Sequence, residues 1–504
     1  MVSKPFDGGR VDRPGPGLVF GVLLGTAFLG ALVIGVAPDL RWIVLQCGIS
    51  AAIPAAYFAI RQSGGNNAAD FFDLGTLFVS IAFVYTFVPL ANFAWHDGAF
   101  SAADARMMML QPAPDFVTRV GWHYLVFMAG FVAVYLRFQR QKQGSSTARP
   151  NPPRGDFLFW MIAVYALCQI VMIALKVHYG LGADTYLESY RVYQDVPVFL
   201  QQGMGWLTGF SRIVEIGILA CFFSRYQRHR VAVWAWIGVI GVATFLRLHA
   251  RTDLMIVIGS SVFLYHAFVR QVRLGRLVVV GLVTIASFQA LGVLRGLGGD
   301  LDAMGTHELL NSGSEFEAIF GNSVHILTMR ENGQQLLPRY SWYLSELSIL
   351  IPQQLLPFTK IDPATWYVRA FFPRYAAMGG GFAWGSIAQS IVGFGLVEAA
   401  LRGVLLGAVL AKIDWFLRSR WARFEYVVVY AWMMATLYMS MRNVTFYFVH
   451  GTVYFVAPWL LVCHAIQRSV PHSGLTVDDD AAIGPSGDDG VSFGLPEGSN
   501  PSTT

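Results

Sequence analysis

Residues 157–175, FLFWMIAVYALCQIVMIAL, form an apolar run that contains no charged side chain. A helix of about 20 apolar residues crosses the hydrocarbon core of a bilayer, so this run is a candidate transmembrane helix. Similar runs recur along the chain, at 18–36, 42–60, 74–94, 117–136, 204–223, 231–247, 254–269, 277–294, 395–413, 425–441 and 444–466. We therefore expect an all-α, polytopic integral membrane protein with about 12 transmembrane helices.

The composition supports this prediction. Hydrophobic residues make up 55% of the chain and charged residues 13%, and the mean hydropathy is +0.50. These values lie outside the range of ordinary soluble domains. The net charge of +5 is dispersed over short loops without a basic face, so we expect membrane lipid and no nucleic acid as a partner.

Lys and Arg side chains indicate the orientation of the chain. They are concentrated in alternate connections, at 137–154, 225–230, 270–276 and 412–423. Positively charged loops remain on the cytoplasmic side of a membrane. We therefore expect both termini of this multi-pass protein to be cytoplasmic; the resemblance described below implies that the membrane is the bacterial cytoplasmic membrane.

The predicted spans divide the chain into five parts. In order, these are a cytoplasmic N-terminal tail (1–17), transmembrane helices 1–9 (18–294), a large extracytoplasmic loop (295–394), transmembrane helices 10–12 (395–470) and a disordered cytoplasmic tail (471–504). The tail is rich in Gly, Ser, Pro and Asp and cannot bury enough apolar surface to fold.

The large loop is too long to lack secondary structure of its own. Ser314 and Glu317 have the spacing of a capping box, and apolar residues then recur at helical intervals, which predicts an amphipathic helix to about Arg330. A second apolar stretch begins at Trp342 and ends near Leu350. It is too short to span a bilayer, and we expect it to lie at the membrane interface.

Arginines also occur on the predicted outer side, against the general trend of the charges. A guanidinium group binds phosphate oxygens through paired hydrogen bonds and stays protonated. We predict that a lipid pyrophosphate is bound by some or all of Arg247, Arg251, Arg295, Arg369, Arg374 and Arg442. The alternative is that these side chains extend to the aqueous interface or pair with loop acids such as Asp253, Asp300 and Glu346.

His249 and Glu398 are the candidate catalytic residues. His249 lies between Arg247 and Arg251, which would place a base beside a bound phosphate. Glu398 and Arg402 are four residues apart inside a predicted span, and they either pair structurally or line a polar cavity. Other histidines on the outer side, including His123, His325 and His450, are weaker candidates for the base.

Residues 178–193, HYGLGADTYLESYRVY, interleave tyrosines with carboxylates. Tyr186 and Tyr190 could stack on sugar rings while Glu188 bonds to hydroxyl groups, so we predict a glycan-binding segment. An interfacial belt of aromatic residues is the alternative.

Several motifs are absent from the sequence. It contains no P-loop, dinucleotide fingerprint, GxSxG elbow or HExxH motif, and Cys and His residues lack the spacing of a metal site. We therefore expect no cofactor and no metal.

Residues 230–410 resemble the Wzy-type oligosaccharide repeat-unit polymerases, which make O-antigen and exopolysaccharide. The resemblance rests on the turn Arg247-Leu-His-Ala-Arg251-Thr-Asp, on Arg295, on Ile351-Pro352, on Leu356-Pro357-Phe358, on Gly385-Ser386 and on Gly393-Phe394-Gly395. Some family members carry an arginine followed eleven residues later by a glycine. Arg369 with Gly380, and Arg374 with Gly385, have this spacing.

The resemblance implies a glycosyltransferase that needs neither metal nor nucleotide. Its substrates would be undecaprenyl-pyrophosphate-linked oligosaccharides, polymerised on the outer face of the cytoplasmic membrane, with a flippase and a chain-length regulator as partners. Three alternatives remain at this stage: a lipid-linked oligosaccharide transporter (flippase), an O-antigen ligase, and a lipid-dependent transferase of single sugars.

Overall fold

A computed structural model describes ten segments of the chain and a few isolated positions. The segments are 37–63, 72–100, 112–140, 150–153, 156–180, 196–246, 251–272, 315–334, 339–377 and 382–469, and the isolated positions are Arg276, Val279, Gly281, Val283 and Leu336. Every regular element in these segments is helical.

The helices are numbered here in chain order. The first seven are α1 (Arg41–Ser63), α2 (Leu74–Trp95), α3 (Pro114–Arg140), α4 (Phe157–His178), α5 (Val198–Ser224), α6 (Tyr226–Leu246) and α7 (Arg251–Phe268). The next five are α8 (Glu315–Glu331), α9 (Arg339–Leu347), α10 (Pro363–Phe371), α11 (Pro373–Ala377) and α12 (Ser386–Val392). The last five are α13 (Leu396–Arg418), α14 (Phe424–Thr436), α15 (Met439–Arg442), α16 (Tyr447–Gly451) and α17 (Ala457–Ser469).

Within the described segments, six helical stretches are long and apolar enough to cross a membrane. They are Pro38–Arg61, Leu74–Trp95, Pro114–Gln139, Phe157–His178, Phe199–Ser224 and Tyr447–Arg468. The prediction of an all-helical chain with helices long and apolar enough to span a membrane is therefore confirmed for the described segments, but the count of about 12 spans is not. The predicted span 18–36 and most of 277–294 lie outside the described residues.

Hydrogen bonds between connections define one end of the helix bundle. They join Arg61 to Asp73, Arg418 to the carbonyl of Phe72, Asn151 to the carbonyl of Ala422, and Arg225 to the carbonyl of Pro153. We call this the basic end, and it comprises residues 57–61, 72–76, 150–153, 224–230 and 414–426. It gathers connections that the sequence predicts to be cytoplasmic.

The opposite end of the bundle carries the described helices of the large loop. Contacts there join Asn92 to Glu317, Arg119 to Glu331, Tyr454 to the carbonyl of Leu350, and Gln354 to Gln202. We call this the loop end. Successive long helices therefore run between two ends of different chemistry, as an up-and-down arrangement requires.

Helices α3 and α13 pack closely because glycines face the backbone of the partner helix. A Cβ atom on Gly407 would lie 2.7 Å from the carbonyl oxygen of Phe131, and one on Gly130 would lie 2.9 Å from that of Ala400. A Cβ on Gly403 would collide with the carbonyl of Phe127. Gly403 and Gly407 form a GxxxG pair, which lets helices in lipid approach through small residues.

The helices of the large loop differ from the prediction in how they are buried. Helix α8 forms where the capping pattern predicts it, but Ile319–Leu327 is buried without interruption, so α8 is enclosed rather than amphipathic on a surface. Its polar residues are buried because they have partners, such as Asn322 with the carbonyl of Ala383. In α9, Trp342 is buried and Leu347 is 82% exposed, so the leucine faces outward and the tryptophan does not.

The last two predicted spans are interrupted. The predicted run 425–441 is α14 followed by α15, and the run 444–466 begins as α16, continues through a π-helical turn at Thr452–Val456 and becomes α17. Breaks in a buried helix expose backbone groups that need partners. At the turn that joins the two runs, the N–H of Gly385, just before α12, donates to the carbonyl of Arg442, and Gln389 of α12 accepts from Thr445 N–H at 3.4 Å.

Candidate functional site

Six predicted site residues lie outside the described part of the chain. They are Arg247, His249 and Arg295 from the phosphate and base predictions, and Tyr186, Glu188 and Tyr190 from the glycan prediction. Arg251 is the first residue of α7. The other end of α7 is at the basic end, where His266 stacks on Phe72 with ring centroids 4.2 Å apart. Arg251 is therefore at the loop end.

Glu398 is held by donors at both carboxylate oxygens. Its Oε1 accepts from Arg402 Nε at 2.7 Å, and its Oε2 accepts from Phe394 N–H at 2.8 Å and from the Tyr343 hydroxyl. Arg402 also pairs with both oxygens of Glu346 at 2.7 Å. These contacts fasten α9 to the first turn of α13, so the described geometry of Glu398 suits a structural role better than proton transfer.

Arg442 lies beside the break between α15 and α16. Its Nε is 3.0 Å from Glu315 Oε1, and its side chain is 25% exposed. The hydroxyl groups of Tyr85 and Tyr438 also interact with the Arg442 guanidinium group. The predicted phosphate ligand Arg442 is thus fixed at the loop end by a carboxylate from α8.

Arg369 and Arg374 are exposed on the short helices α10 and α11. Gly385, eleven residues after Arg374, has a backbone φ of 95°, a conformation that favours glycine. A Cβ there would also approach Ile319 Cγ2 to 2.8 Å. The backbone conformation at the start of α12 therefore requires a glycine at position 385.

Tyr447 is the centre of a group of side chains of which the sequence analysis had named only Arg442 and His450 as candidate site residues. Arg212, Asp362 and Arg442 all act electrostatically on its hydroxyl group, and the tyrosine itself is 41% exposed. These residues come from α5, the start of α10, α15 and α16. Charged side chains from three other elements are therefore grouped around one exposed tyrosine of α16.

His450 and Lys360 extend this group along α16. The His450 ring is 4.5 Å from that of Tyr454 and 6.5 Å from that of Tyr447. Lys360 acts electrostatically on His450, and its Nζ donates to the carbonyl of Ile351. Burial lowers the pKa of Lys360. We define the loop-end cluster as Arg212, Lys360, Asp362, Arg442, Tyr447 and His450.

The helix that carries Tyr447 and His450 is irregular just after α16. Thr452–Val456 forms a π-helical turn, a feature that is frequent at functional sites. The Tyr454 carbonyl in this turn accepts from Trp206 Nε1 at 2.9 Å, and the Tyr454 hydroxyl donates to Leu350 at 2.8 Å. The π-helical turn is thus held between α5 and the large loop, and these bonds fix the position of the neighbouring cluster residues on α16.

Three unsatisfied polar atoms are buried at or beside the turn that contains Arg442. Gln389 Nε2, Ser440 Oγ and Thr445 Oγ1 have no hydrogen-bond partner among the described residues. Buried polar groups without a partner are rare and costly in proteins. These atoms are concentrated where α12 meets the turn between α15 and α16, which indicates a polar region inside the loop end.

The sequence contained only part of the signal for this site. Arg212 could be recognised as a charge inside an apolar run, and Arg442 as an arginine between two runs. Tyr447 and His450 are ordinary interfacial residues by type. Their proximity to Lys360 and Asp362 depends on how the loop folds back, which no local pattern encodes.

No protein-family model, curated protein or solved structure matches this chain, so the functional assignment rests on the residues and their geometry.

Proposed function

We propose that this protein is a membrane glycosyltransferase that polymerises undecaprenyl-pyrophosphate-linked oligosaccharide repeat units on the outer face of the bacterial cytoplasmic membrane. The observation that supports this most is the loop-end cluster. It combines cations for a pyrophosphate, a histidine for a proton, and an accessible tyrosine for a sugar, all at the end of the bundle that carries the large loop.

In this proposal the chain crosses the membrane about 12 times, with both termini in the cytoplasm. The basic end faces the cytoplasm, in accordance with the positive-inside rule. The loop end then faces outward, where the lipid-linked substrates would be polymerised. Neither a nucleotide nor a metal is required, because the lipid pyrophosphate is itself an activated leaving group.

The reaction transfers a growing glycan to a new repeat unit. A hydroxyl oxygen of the acceptor sugar attacks the anomeric carbon of the donor glycan and forms a carbon–oxygen bond. The bond between that carbon and the phosphate oxygen breaks, and undecaprenyl pyrophosphate leaves with the electron pair. The proton of the acceptor hydroxyl passes to a base of the protein.

Arg212 and Arg442 would stabilise the negative charge that develops on the leaving pyrophosphate. Fixed donors aimed at developing charge usually contribute most to catalysis of this kind. Arg251 at the loop end, with the predicted ligands Arg247 and Arg295, would extend the same anion site. Arg369 and Arg374 are exposed and would meet the substrate from the solvent side.

His450 is our candidate base within the described residues. An imidazole can accept a proton near neutral pH, and this one lies beside two tyrosine rings suited to holding a sugar. His249 remains the candidate from sequence for the same role. Glu398 is the weaker choice, because its carboxylate already accepts three hydrogen bonds.

The surface beside the loop end would accommodate the isoprenoid chains. Leu347 at the end of α9 and Phe394 and Val397 near the start of α13 are exposed by 82%, 63% and 65%. Tyr343 stacks on Phe394 with ring centroids 6.1 Å apart. An apolar surface next to a cationic cluster matches a ligand with a long hydrocarbon tail and a charged head.

Deletion of the gene in its own bacterium tests the proposal. Gel analysis of surface glycan should show the ladder of long chains replaced by single capped repeat units. Complete loss of capped repeats would instead support a flippase or a ligase and would contradict polymerisation.

Complementation then tests the site. His450→Gln and Lys360→Gln should fail to restore the ladder at normal protein abundance. Arg228→Gln, an exposed change at the basic end, is the matched control and should restore it. A full ladder from both cluster variants would overturn the assignment of the loop-end cluster.

A further inference from the structure

A cleft of about 410 Å³ lies at the basic end of the bundle. It is formed between the first turn of α14 and the outer face of α17. Its lining includes Arg423, Tyr426, Leu460, Leu461, His464 and Gln467. The cleft therefore has a polar corner and an apolar side.

Two arginines lie near the ring of Tyr426: Arg423, which lines the cleft, and Arg420, which lies beside the lining and also packs on Phe416 at 3.8 Å. The guanidinium of Arg423 lies 4.9 Å from the ring centroid and that of Arg420 lies 5.7 Å from it. Cations are attracted to aromatic faces, so the tyrosine holds two like charges close together. The two guanidinium groups outnumber the one carboxylate at this corner, that of Glu425, and the remaining positive charge favours an anion.

Glu425 also lines the cleft, and its carboxylate is a potential obstacle to an anion. It is compensated, because Arg423 Nε donates to its Oε1 at 2.7 Å and the side chain is only 6% exposed. Arg423 precedes α14 without a side-chain cap, and the start of a helix carries a partial positive charge. Arg420, His464 and this helix end keep the corner favourable to anions.

The other side of the cleft is hydrocarbon. Ala457, Leu460 and Leu461 lie on one stretch of α17, and Leu461 is 69% exposed. These residues belong to a helix that is apolar enough to span a membrane. The apolar side therefore continues from the charged corner along the direction an acyl chain takes in a bilayer.

We propose that this cleft binds an anionic phospholipid of the membrane leaflet at the basic end. The phosphate would lie at Arg420, Arg423 and His464, and one acyl chain would lie along Leu460 and Leu461. Basic groups near a membrane surface attract acidic lipids, and here a fixed aromatic ring positions them. The site does not depend on the proposed polymerase activity.

Native mass spectrometry of the full-length protein in neutral detergent tests this proposal. After delipidation, phosphatidylglycerol or phosphatidylcholine is added back, and inorganic phosphate serves as a third arm. We expect retention of phosphatidylglycerol over phosphatidylcholine, and retention that is roughly tenfold weaker in the double variant Arg420→Gln/Arg423→Gln. The matched control Arg228→Gln/Arg230→Gln removes the same charge at the same end and should retain lipid normally.

A second variant controls for misfolding of the double variant, because loss of Arg423 removes the arginine that pairs with Glu425. Ala457→Phe keeps every charge but fills the apolar side, and it should also lose the lipid. Equal retention by wild type and both cleft variants would overturn the proposal. So would equal losses in the control variant, or full displacement of the lipid by inorganic phosphate, which would show that the hydrocarbon chain contributes nothing.

Discussion

Arg402 and Glu346 form a bidentate ion pair, in which Nη1 and Nη2 of the arginine lie 2.7 Å from Oε1 and Oε2 of the glutamate, respectively. Arg402 lies within the apolar helix α13, whereas Glu346 belongs to α9 in the large loop. The Arg402 side chain is 7% exposed and that of Glu346 is 14% exposed. The pair, together with Glu398, therefore fastens the loop to the helix bundle in a place shielded from water.

Loss of Arg402 should destabilise the protein strongly. The variant Arg402→Leu leaves the buried carboxylates of Glu346 and Glu398 without the cation that pairs with both, and breaking a buried pair in this way costs about 3 to 5 kcal/mol. Unfolding in mixed micelles at increasing SDS concentration measures the loss. Glu331→Gln is the control, because its pair with Arg119 is exposed and such pairs contribute little. Unchanged stability of Arg402→Leu would contradict the structural role of the pair.

The close packing of α3 and α13 predicts that Gly403 tolerates no side chain. Gly403→Ala places a methyl group against the carbonyl of Phe127, and overpacking of this kind costs about 1 to 3 kcal/mol. The same SDS titration measures it. Gly48→Ala on α1 meets no described atom within 4 Å and should be neutral or slightly stabilising. Equal effects of the two changes would show that the helices do not approach closely at Gly403.

The orientation of the bundle can be tested with cysteine labelling. The native residues Cys47, Cys168, Cys221 and Cys463 are buried and unpaired, so the folded protein should resist a membrane-impermeant maleimide. In spheroplasts, His96→Cys at the loop end should react with the reagent. Arg228→Cys at the basic end should react only after permeabilisation. The reverse pattern would invert the predicted topology.

Apolar patterning was sufficient to predict the long helices, because α1 to α5 present hydrophobic residues over a full span length. It could not predict the burial of α8. Glu317 and Asn322 resemble surface residues in the sequence, but in the structure they are buried against Asn92 and the carbonyl of Ala383. A polar side chain with a buried partner has the same local pattern as a solvated one.

The change from α14 to α15 at Leu437 and Tyr438 was missed for a related reason. The residues from Phe424 to Met441 are almost all apolar, which predicts a continuous span. The turn between the last two predicted runs was expected from the sequence, and its backbone bonds to Gln389 and Gly385, more than 50 positions earlier in the chain. The GxxxG pair of Gly403 and Gly407, in contrast, is visible in the sequence and could have predicted the packing of α13.

The central claim is that the loop-end cluster transfers glycan between lipid pyrophosphates. Its most direct test reconstitutes the purified protein in vesicles with lipid-linked repeat units extracted from the deletion strain. We predict longer lipid-linked glycans and free undecaprenyl pyrophosphate from the wild type and from Arg228→Gln, and neither product from His450→Gln. Repeat units that cross the bilayer without growing, or equal polymerisation by His450→Gln, would contradict it.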